Sequence, residues 1–266
     1  MIAAAAHQHG LTVTGHIPVH MLAGEAVRAG YDGIEHINML FLNFFATHET
    51  DTRDTTRFTL VGDRAADFDL ASPAVRDFMK LLIAHKTVID PTNDAFEDLL
   101  VGEQGKITPG LEAMVARLPV QAQRNYLLGG LPLDAAKHAR YVASFAKMLA
   151  MTKALYDAKV RLVVGTDAMA GLMFHHELAL YARAGIPTAA ILRMATIDPA
   201  RYLGRDKTTG SIAAGKRADL VVIDGDPLAH IDDIGRTVTT MRGGIVFPAA
   251  ALYASVGVEP YAATSH

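Results

Sequence analysis

Short apolar runs alternate with longer segments of helical periodicity over the first 200 residues of the chain. Four such runs precede helical patterns, at 11–14, 33–36, 86–90 and 162–164. Strands that alternate with helices are typical of β-α-β units, whose strands lie parallel in one sheet. The last run has no polar residue, as expected for a strand that is covered on both faces. The pattern therefore predicts an α/β fold with four strand–helix units.

The ends of two of the predicted helices can be placed from their sequences. Ser72 and Pro73 suit the N-cap and the first helical position of a helix that ends near His85. A second helix is predicted over 133–159, because its apolar residues recur on one face. Helices of this length have enough apolar surface to cover a parallel sheet.

The N-terminal residues and two long connections carry further expectations. Residues 1–9 are typical of the last turns of a helix, and Gly10 suits the left-handed position that follows a helix. The stretches 45–72 and 91–133 are longer than tight connections. We expect both stretches to be loops that cover the active face of the sheet.

The C-terminal part has a different pattern. Short β-like runs at 218–223, 237–241 and 245–247 are separated by turns rich in Gly, Asp and Pro. This composition is typical of a small all-β module. We therefore divide the chain into a first unit at 1–205 and a second at 206–266.

Composition excludes several functional classes. The chain has no Cys, which excludes disulfides, zinc fingers, iron–sulfur clusters and thiol catalysis. Its net charge of −3 gives no electrostatic footprint for nucleic acid or an anionic membrane, and we expect neither partner. The 12 His residues direct attention to metal sites with nitrogen and oxygen ligands.

Three candidate ligands stand at the C-terminal ends of predicted strands: His16, His36 and Asp167. The C-terminal ends of parallel strands meet at one edge of the sheet, where α/β barrels build their active sites. A single His or Asp at a strand end is more often a structural residue. Three at the same edge favour a shared site.

Two other His-containing segments are weaker candidates. His7 and His9 would share a face on a strand, but on the predicted helix they point about 200° apart. We therefore reject them as a metal motif. His175, His176 and Glu177 open the next predicted helix; substrate contact or support of the ligands is one interpretation, and a solvated helix start is the favoured one.

Four short motifs and two longer segments occur in a characteristic order. They are Gly-His-Ile-Pro at 15–18, Ile-Glu-His at 34–36, Gly-Thr-Asp-Ala at 165–168, His-Glu-Leu at 176–178, and the segments 195–204 and 210–222. Together they resemble the amidohydrolase superfamily, and within it the imidazolonepropionase-like and prolidase-like metal-dependent hydrolases. The resemblance extends over nearly the whole chain and is weakest between 40 and 133.

The resemblance implies roles for the three candidate residues. His16 and His36 would be metal ligands on strands five and six of a (β/α)8 TIM-type barrel, and Asp167 the strand-eight carboxylate that binds metal and takes a proton from water. Residues 1–205 would form strands five to eight with their helices, and 206–266 part of a small β-sandwich with a C-terminal tail. Imidazole and carboxylate ligands suit zinc first, with manganese, iron or cobalt as alternatives, and one or two ions in the complete enzyme.

The chain also departs from this family. It has no counterpart of the His-x-His pair on strand one or of the carboxylated Lys on strand four. We therefore expect it to be the C-terminal half of a barrel, inactive alone, with the missing N-terminal half or a second copy as partner. The compartment stays open.

Two functions follow. The first is metal-dependent hydrolysis of C–N bonds in small amides, cyclic amides or dipeptides, with Asp167 as general base. The alternative is a non-catalytic half-barrel that serves as an assembly or binding module.

Overall fold

Two three-stranded sheets, one parallel and one antiparallel, organise the protein. The computed structural model describes residues 2–169 and 171–261. The strands of this part are β1 (Gly33–Glu35), β2 (Val88–Asp90), β3 (Arg161–Leu162), β4 (Leu220–Ile223), β5 (Thr237–Arg242) and β6 (Ile245–Pro248).

Helices make up most of the remaining structure. They are α1 (Ile2–Gln8), α2 (Ala23–Arg28), α3 (Ile37–Phe45), α4 (Thr56–Arg64), α5 (Pro73–His85), α6 (Asn93–Val101), α7 (Glu112–Val115), α8 (Val120–Asn125), α9 (Ala135–Asp157), α10 (Leu172–Arg183), α11 (Thr188–Met194), α12 (Ile197–Tyr202) and α13 (Ala249–Ser255). Short 3-10 helices span Ala65–Asp67 and Ile231–Gly235. No helix in the described part combines the length and the apolar character needed to cross a membrane.

The parallel sheet confirms the predicted α/β class. Its order is β1-β2-β3, with Ile34 opposite Ile89 and Ile89 opposite Leu162. All three of these side chains are buried in the main core. The two predicted helices also form, as α5 and α9. Ser72 accepts a hydrogen bond from the backbone N–H of Val75 at the start of α5.

The strand predicted at 11–14 is not formed, although the segment lies beside β1. The Val13 carbonyl accepts hydrogen bonds from the backbone N–H groups of Asp32 and Gly33, and the Gly15 carbonyl accepts one from Glu35. A ladder also needs hydrogen bonds in the return direction. The Val13 N–H instead donates to the Asp32 carboxylate, 2.8 Å away. The sheet therefore has three strands in the described residues, where we expected four.

The prediction that the two long connections are loops is wrong, because both contain helices. The stretch 45–72 holds α4, and 91–133 holds α6, α7 and α8. Their apolar residues pack inward: Val61 of α4 and Leu100 of α6 are fully buried or nearly so in the core around α9. Burial of these side chains against α9 favours helix over irregular backbone.

The antiparallel sheet forms where the β-like runs predicted it. β4 pairs with β5, and β5 with β6. Its strands are largely exposed: Val222 is 57% and Ile245 64% accessible. The two sheets thus differ in burial as well as in strand direction.

Candidate metal and substrate site

The three predicted ligands lie at one edge of the parallel sheet. His36 directly follows β1, His16 follows the segment that is hydrogen-bonded to β1, and Asp167 comes after β3. The rings of His16 and His36 have centroids 4.6 Å apart. His36 Nε2 lies 3.7 Å from Asp167 Oδ2. The structure therefore brings all three residues together.

His36 is held in position by the end of the next strand. A 2.6 Å hydrogen bond joins its Nδ1 to Thr92 Oγ1, which leaves Nε2 as the nitrogen that faces Asp167. Both residues have positive φ, 72° for His36 and 45° for Thr92. Such backbone is costly for residues other than Gly and is found most often at functional sites. Burial, and then the neighbouring His16, lower the pKa of His36, which favours the neutral imidazole that metals bind.

The donor set fits a divalent metal in kind but is open to solvent. Two imidazoles and a carboxylate suit zinc, and a bond from the second ring nitrogen to another group is typical of ligand histidines. The Asp167 side chain is 69% exposed, against 12% for His36. In the described part of the chain, no group of three or more His, Asp or Glu side chains is arranged closely enough to hold a metal ion as it stands. The three side chains thus lie near one another at a solvent-exposed sheet edge, with two imidazoles and one carboxylate as possible metal ligands.

A small cavity, here named the Arg57 cavity, opens onto the three donors. Its volume is about 180 Å³. It is lined by His16, His36, Asn38, Met39, Arg57, Phe58, Ala95, Phe96, Leu99 and Asp167. Buried Arg57 Nε and Asn38 Oδ1 have no hydrogen-bond partner in the described structure. The cavity therefore combines apolar walls with two unsatisfied polar groups.

A second cavity, the Asp94 cavity, shares the lining residue Asp167 with the first. Its volume is about 370 Å³, and Asp94, Asp98, Tyr126 and Met173 are among its lining residues. Asp167 belongs to the lining of both cavities. A substrate bound at Asp167 therefore has two adjoining cavities available to it.

Beneath this edge lies a fully buried polar cluster. Glu177 Oε1 accepts hydrogen bonds from the backbone N–H and the side-chain amide of Asn93, each 2.9 Å long. Glu177 Oε2 accepts one from the backbone N–H of Asp94, at 2.7 Å. Thr166 in turn donates its hydroxyl to Asp94. Burial, and then the charge of Asp94, raise the pKa of Glu177; burial also raises the pKa of Asp94.

The cluster corrects the interpretation of residues 175–177 as a solvated helix start. These residues lie inside α10, and Glu177 is 0% exposed. His176 Nε2 is 2.5 Å from Glu97 Oε2 on α6, and Arg183 pairs with the other Glu97 oxygen. The His-Glu-Leu motif is the sequence signal for this cluster. The motif does not reveal that the cluster is buried, because polarity alone does not show which face of a helix is buried.

A further buried acid lies at the end of β2. Burial, and then the charge of Glu35, raise the pKa of Asp90 to about 7. Gly165 passes so close that a Cβ there would collide with the Asp90 carboxylate. This contact explains why Gly precedes Thr166 and Asp167. The sequence contains no signal for the role of Asp90, because a single carboxylate at a strand end belongs to no recognisable motif.

Only the first His of the rejected pair lies in a helix, because α1 ends at Gln8 and His9 follows it in a turn. His7 lies in α1, and its Nε2 is 2.8 Å from Asp32 Oδ2. Gly10 has a φ of 69°, as predicted for the residue after the helix. Neither His7 nor His9 lines either cavity.

Comparison with known proteins identifies the family. A sequence profile of the amidohydrolase family matches residues 1–246. The chain belongs to the amidohydrolase family. The family and the curated amidohydrolase relatives of this chain are hydrolases that act on carbon–nitrogen bonds.

Two curated relatives are similar over part of the chain. The N-substituted formamide deformylase of Arthrobacter pascens is 37% identical over 89 residues, which are 29% of this chain and 16% of the relative. An adenine deaminase of Cereibacter sphaeroides is 36% identical over 90 residues, which are 34% of this chain and 15% of the relative. The matched parts are thus small fractions of both relatives.

Solved amidohydrolase structures share the fold. A Xaa-Pro dipeptidase with bound methionine has a TM-score of 0.58 at 20% identity, over 93% of this chain and 47% of that chain. Bottromycin amidohydrolase has a TM-score of 0.63 at 21% identity, over 97% of this chain and 56% of that chain. The chain therefore spans about half the length of these amidohydrolase structures.

Proposed function

We propose that this amidohydrolase chain hydrolyses carbon–nitrogen bonds with a divalent metal held by His16, His36 and Asp167. The observation that carries the proposal is the convergence of these three side chains, from separate parts of the sequence, at one edge of the parallel sheet. Zinc is the first choice of metal because imidazole and carboxylate donors suit it. The substrate is a small amide or dipeptide.

Asp167 is the proposed proton carrier. When bound, a divalent metal lowers the pKa of water and polarises the scissile carbonyl. The Asp167 carboxylate is exposed and lines both cavities, so it can accept a proton from a water that attacks an amide bound there. The same oxygen then gives this proton to the departing amine, as general acid. His36, fixed by Thr92, orients its Nε2 toward this carboxylate.

We further propose that the segment 11–15 and strands β1, β2 and β3 correspond to strands five to eight of a barrel. The other four strands would come from a further polypeptide segment or a second copy, and β4–β6 would be part of a small β-sandwich. The family match and the roughly half coverage of the solved amidohydrolases support this assignment. Closure would also pair the free edges of the parallel sheet.

The test uses the protein purified from its native host, so that any polypeptide that completes the sheet is present. Hydrolysis of a panel of N-acyl amino acids, dipeptides and cyclic amides is measured with zinc. Asp167→Asn should lower kcat by roughly 10²- to 10⁴-fold while the fold stays intact, because the general base is lost. Asp232→Asn, at an exposed position of the second 3-10 helix, is the matched control.

Two results would overturn the proposal. One is near-normal kcat in the zinc-loaded Asp167→Asn enzyme. The other is a native, zinc-loaded protein that hydrolyses no member of the panel, which would favour the non-catalytic binding module.

A further inference from the structure

One cationic side chain in the Arg57 cavity faces the predicted ligands without a carboxylate partner. Arg57 lies in the first turn of α4. Its guanidinium forms no ion pair or hydrogen bond with the described residues, and its buried Nε has no partner. Several other arginines of the chain form ion pairs, among them Arg53, Arg140 and Arg183. A half-buried cation left unpaired at a cavity wall is available to an anionic ligand.

The surroundings of Arg57 orient it. Its guanidinium lies over the ring of Phe58, 4.6 Å from the ring centroid. Asn38, which is 1% exposed, donates its side-chain N–H to the Arg57 carbonyl at 3.3 Å. This bond leaves the buried Asn38 Oδ1 as an unpaired acceptor in the same cavity. The cavity wall therefore offers the N–H groups of a planar guanidinium as donors for an anion.

The remaining walls limit the ligand's size and polarity. Met39, Phe96 and Leu99 contribute apolar surface. The volume of about 180 Å³ is roughly six times the 30 Å³ that one water occupies in the liquid. This space suits one small apolar residue and excludes a long chain.

We propose that Arg57 binds the free carboxylate of the substrate and selects N-acyl amino acids or dipeptides with a small apolar C-terminal residue. This inference rests on the proposed function, since it places the scissile amide at Asp167. A guanidinium group donates two parallel hydrogen bonds to a carboxylate and also pairs with its negative charge. A neutral amide or a nucleobase lacks this charge. The chain would thus differ in substrate class from a formamide deformylase or an adenine deaminase, the activities that its curated relatives are named for.

The test compares two probes that differ only in this group, N-acetyl-L-leucine and N-acetyl-L-leucinamide. Their binding to the full 266-residue chain is measured by titration calorimetry, with and without zinc. We expect the acid to bind roughly 10- to 100-fold more tightly than the amide. Arg57→Met should abolish this preference, and Arg57→Lys should keep part of it, because a charge remains without the planar fork.

Arg64→Met is the matched control. Arg64 lies on the same helix, but it donates to the Phe45 carbonyl and does not line the cavity. This variant should keep the preference for the acid, and thermal unfolding of every variant checks that it folds. Equal binding of the two probes to the natural chain, or an unchanged preference in a folded Arg57→Met, would overturn the proposal.

Failure of the proposed function gives a different result. If His36→Ala leaves zinc binding unchanged while the acid preference still depends on Arg57, the metal assignment fails and the carboxylate site stands. If zinc binding depends on His36 but the two probes bind equally, the Arg57 proposal fails alone.

Discussion

Two polar regions at the same edge of the parallel sheet differ in how far their polar atoms are hydrogen-bonded within the protein. At the surface, His16, His36 and Asp167 approach one another while Asp167 remains mostly in solvent. Below them, Glu177 is fully buried, and both of its oxygens accept hydrogen bonds from Asn93 and Asp94. The exposed region has nitrogen and oxygen atoms free to bind a metal, whereas the Glu177 carboxylate is hydrogen-bonded within the protein. In the buried region only Asp94 keeps a buried oxygen, Oδ1, without a partner in the described structure.

The difference assigns a supporting role to the buried cluster. Thr92, which holds His36, directly precedes the two residues that Glu177 binds. Asp94 also accepts the hydroxyl of Thr166, the neighbour of Asp167. The cluster therefore fixes two strand ends, and through them the positions of two predicted ligands. Rigid support of this kind is what a metal or catalytic site requires.

The largest expected effect is the loss of Glu177. Glu177→Ala leaves the buried N–H groups of Asn93 and Asp94 without acceptors, so we expect the free energy of unfolding to fall by roughly 3–5 kcal/mol. Urea denaturation followed by circular dichroism measures it. Glu103→Ala, which removes an exposed carboxylate paired with Lys106, should cause no measurable change. Equal stabilities of the two variants would remove the distinction between the regions.

A second effect concerns pH. Asp90, with its pKa raised to about 7, keeps its proton in the folded state at pH values where the unfolded chain has lost it. Folding therefore takes up a proton between about pH 4 and pH 7, and the free energy of unfolding should fall as pH rises through this window.

Asp90→Asn tests this dependence in the metal-free protein. The variant should lose the part of the decline that Asp90 causes, roughly 1–4 kcal/mol across the window. A smaller decline should remain, because burial also raises the pKa values of Asp94 and Glu177. Asp232→Asn should keep the full decline. An identical pH profile in Asp90→Asn and the natural chain would show that the buried acid does not contribute.

The smallest effect is expected at Thr92. Thr92→Val keeps a β-branched side chain at this positive-φ position but removes the hydrogen bond to His36 Nδ1. We expect zinc affinity to fall by roughly 10- to 100-fold, as for other residues that orient a ligand histidine. Thr92→Ser, which keeps the hydroxyl, should retain most of the zinc affinity of the natural chain. Normal affinity in Thr92→Val would mean that the bond does not position His36.

The parallel sheet, the long helices and the placement of His16, His36 and Asp167 at one sheet edge could be predicted, because each has a local signal. Apolar runs mark the strands, Ser72 and Pro73 mark the start of α5, and His36 follows its strand directly. Alternation of strands and helices then implies that these strand ends meet at one edge.

The parts that could not be predicted depend on contacts distant in sequence. Glu177 and Asn93 are 84 residues apart, so no local pattern shows that they bind each other. The helices α4 and α6 form in stretches expected to be loops, since their burial against α9 is a tertiary effect. The unpaired state of Arg57 likewise emerges only when the cavity is assembled.

Zinc affinity of the 266-residue chain tests the central claim most directly. It is measured by competition with a chromophoric chelator for the natural chain, His36→Ala and His9→Ala. His36→Ala should bind zinc at least about tenfold more weakly, because one of three donors is lost, whereas His9→Ala, on the rejected motif, should equal the natural chain. Equal zinc affinities of His36→Ala and the natural chain, or a loss confined to His9→Ala, would contradict the metal site at this edge.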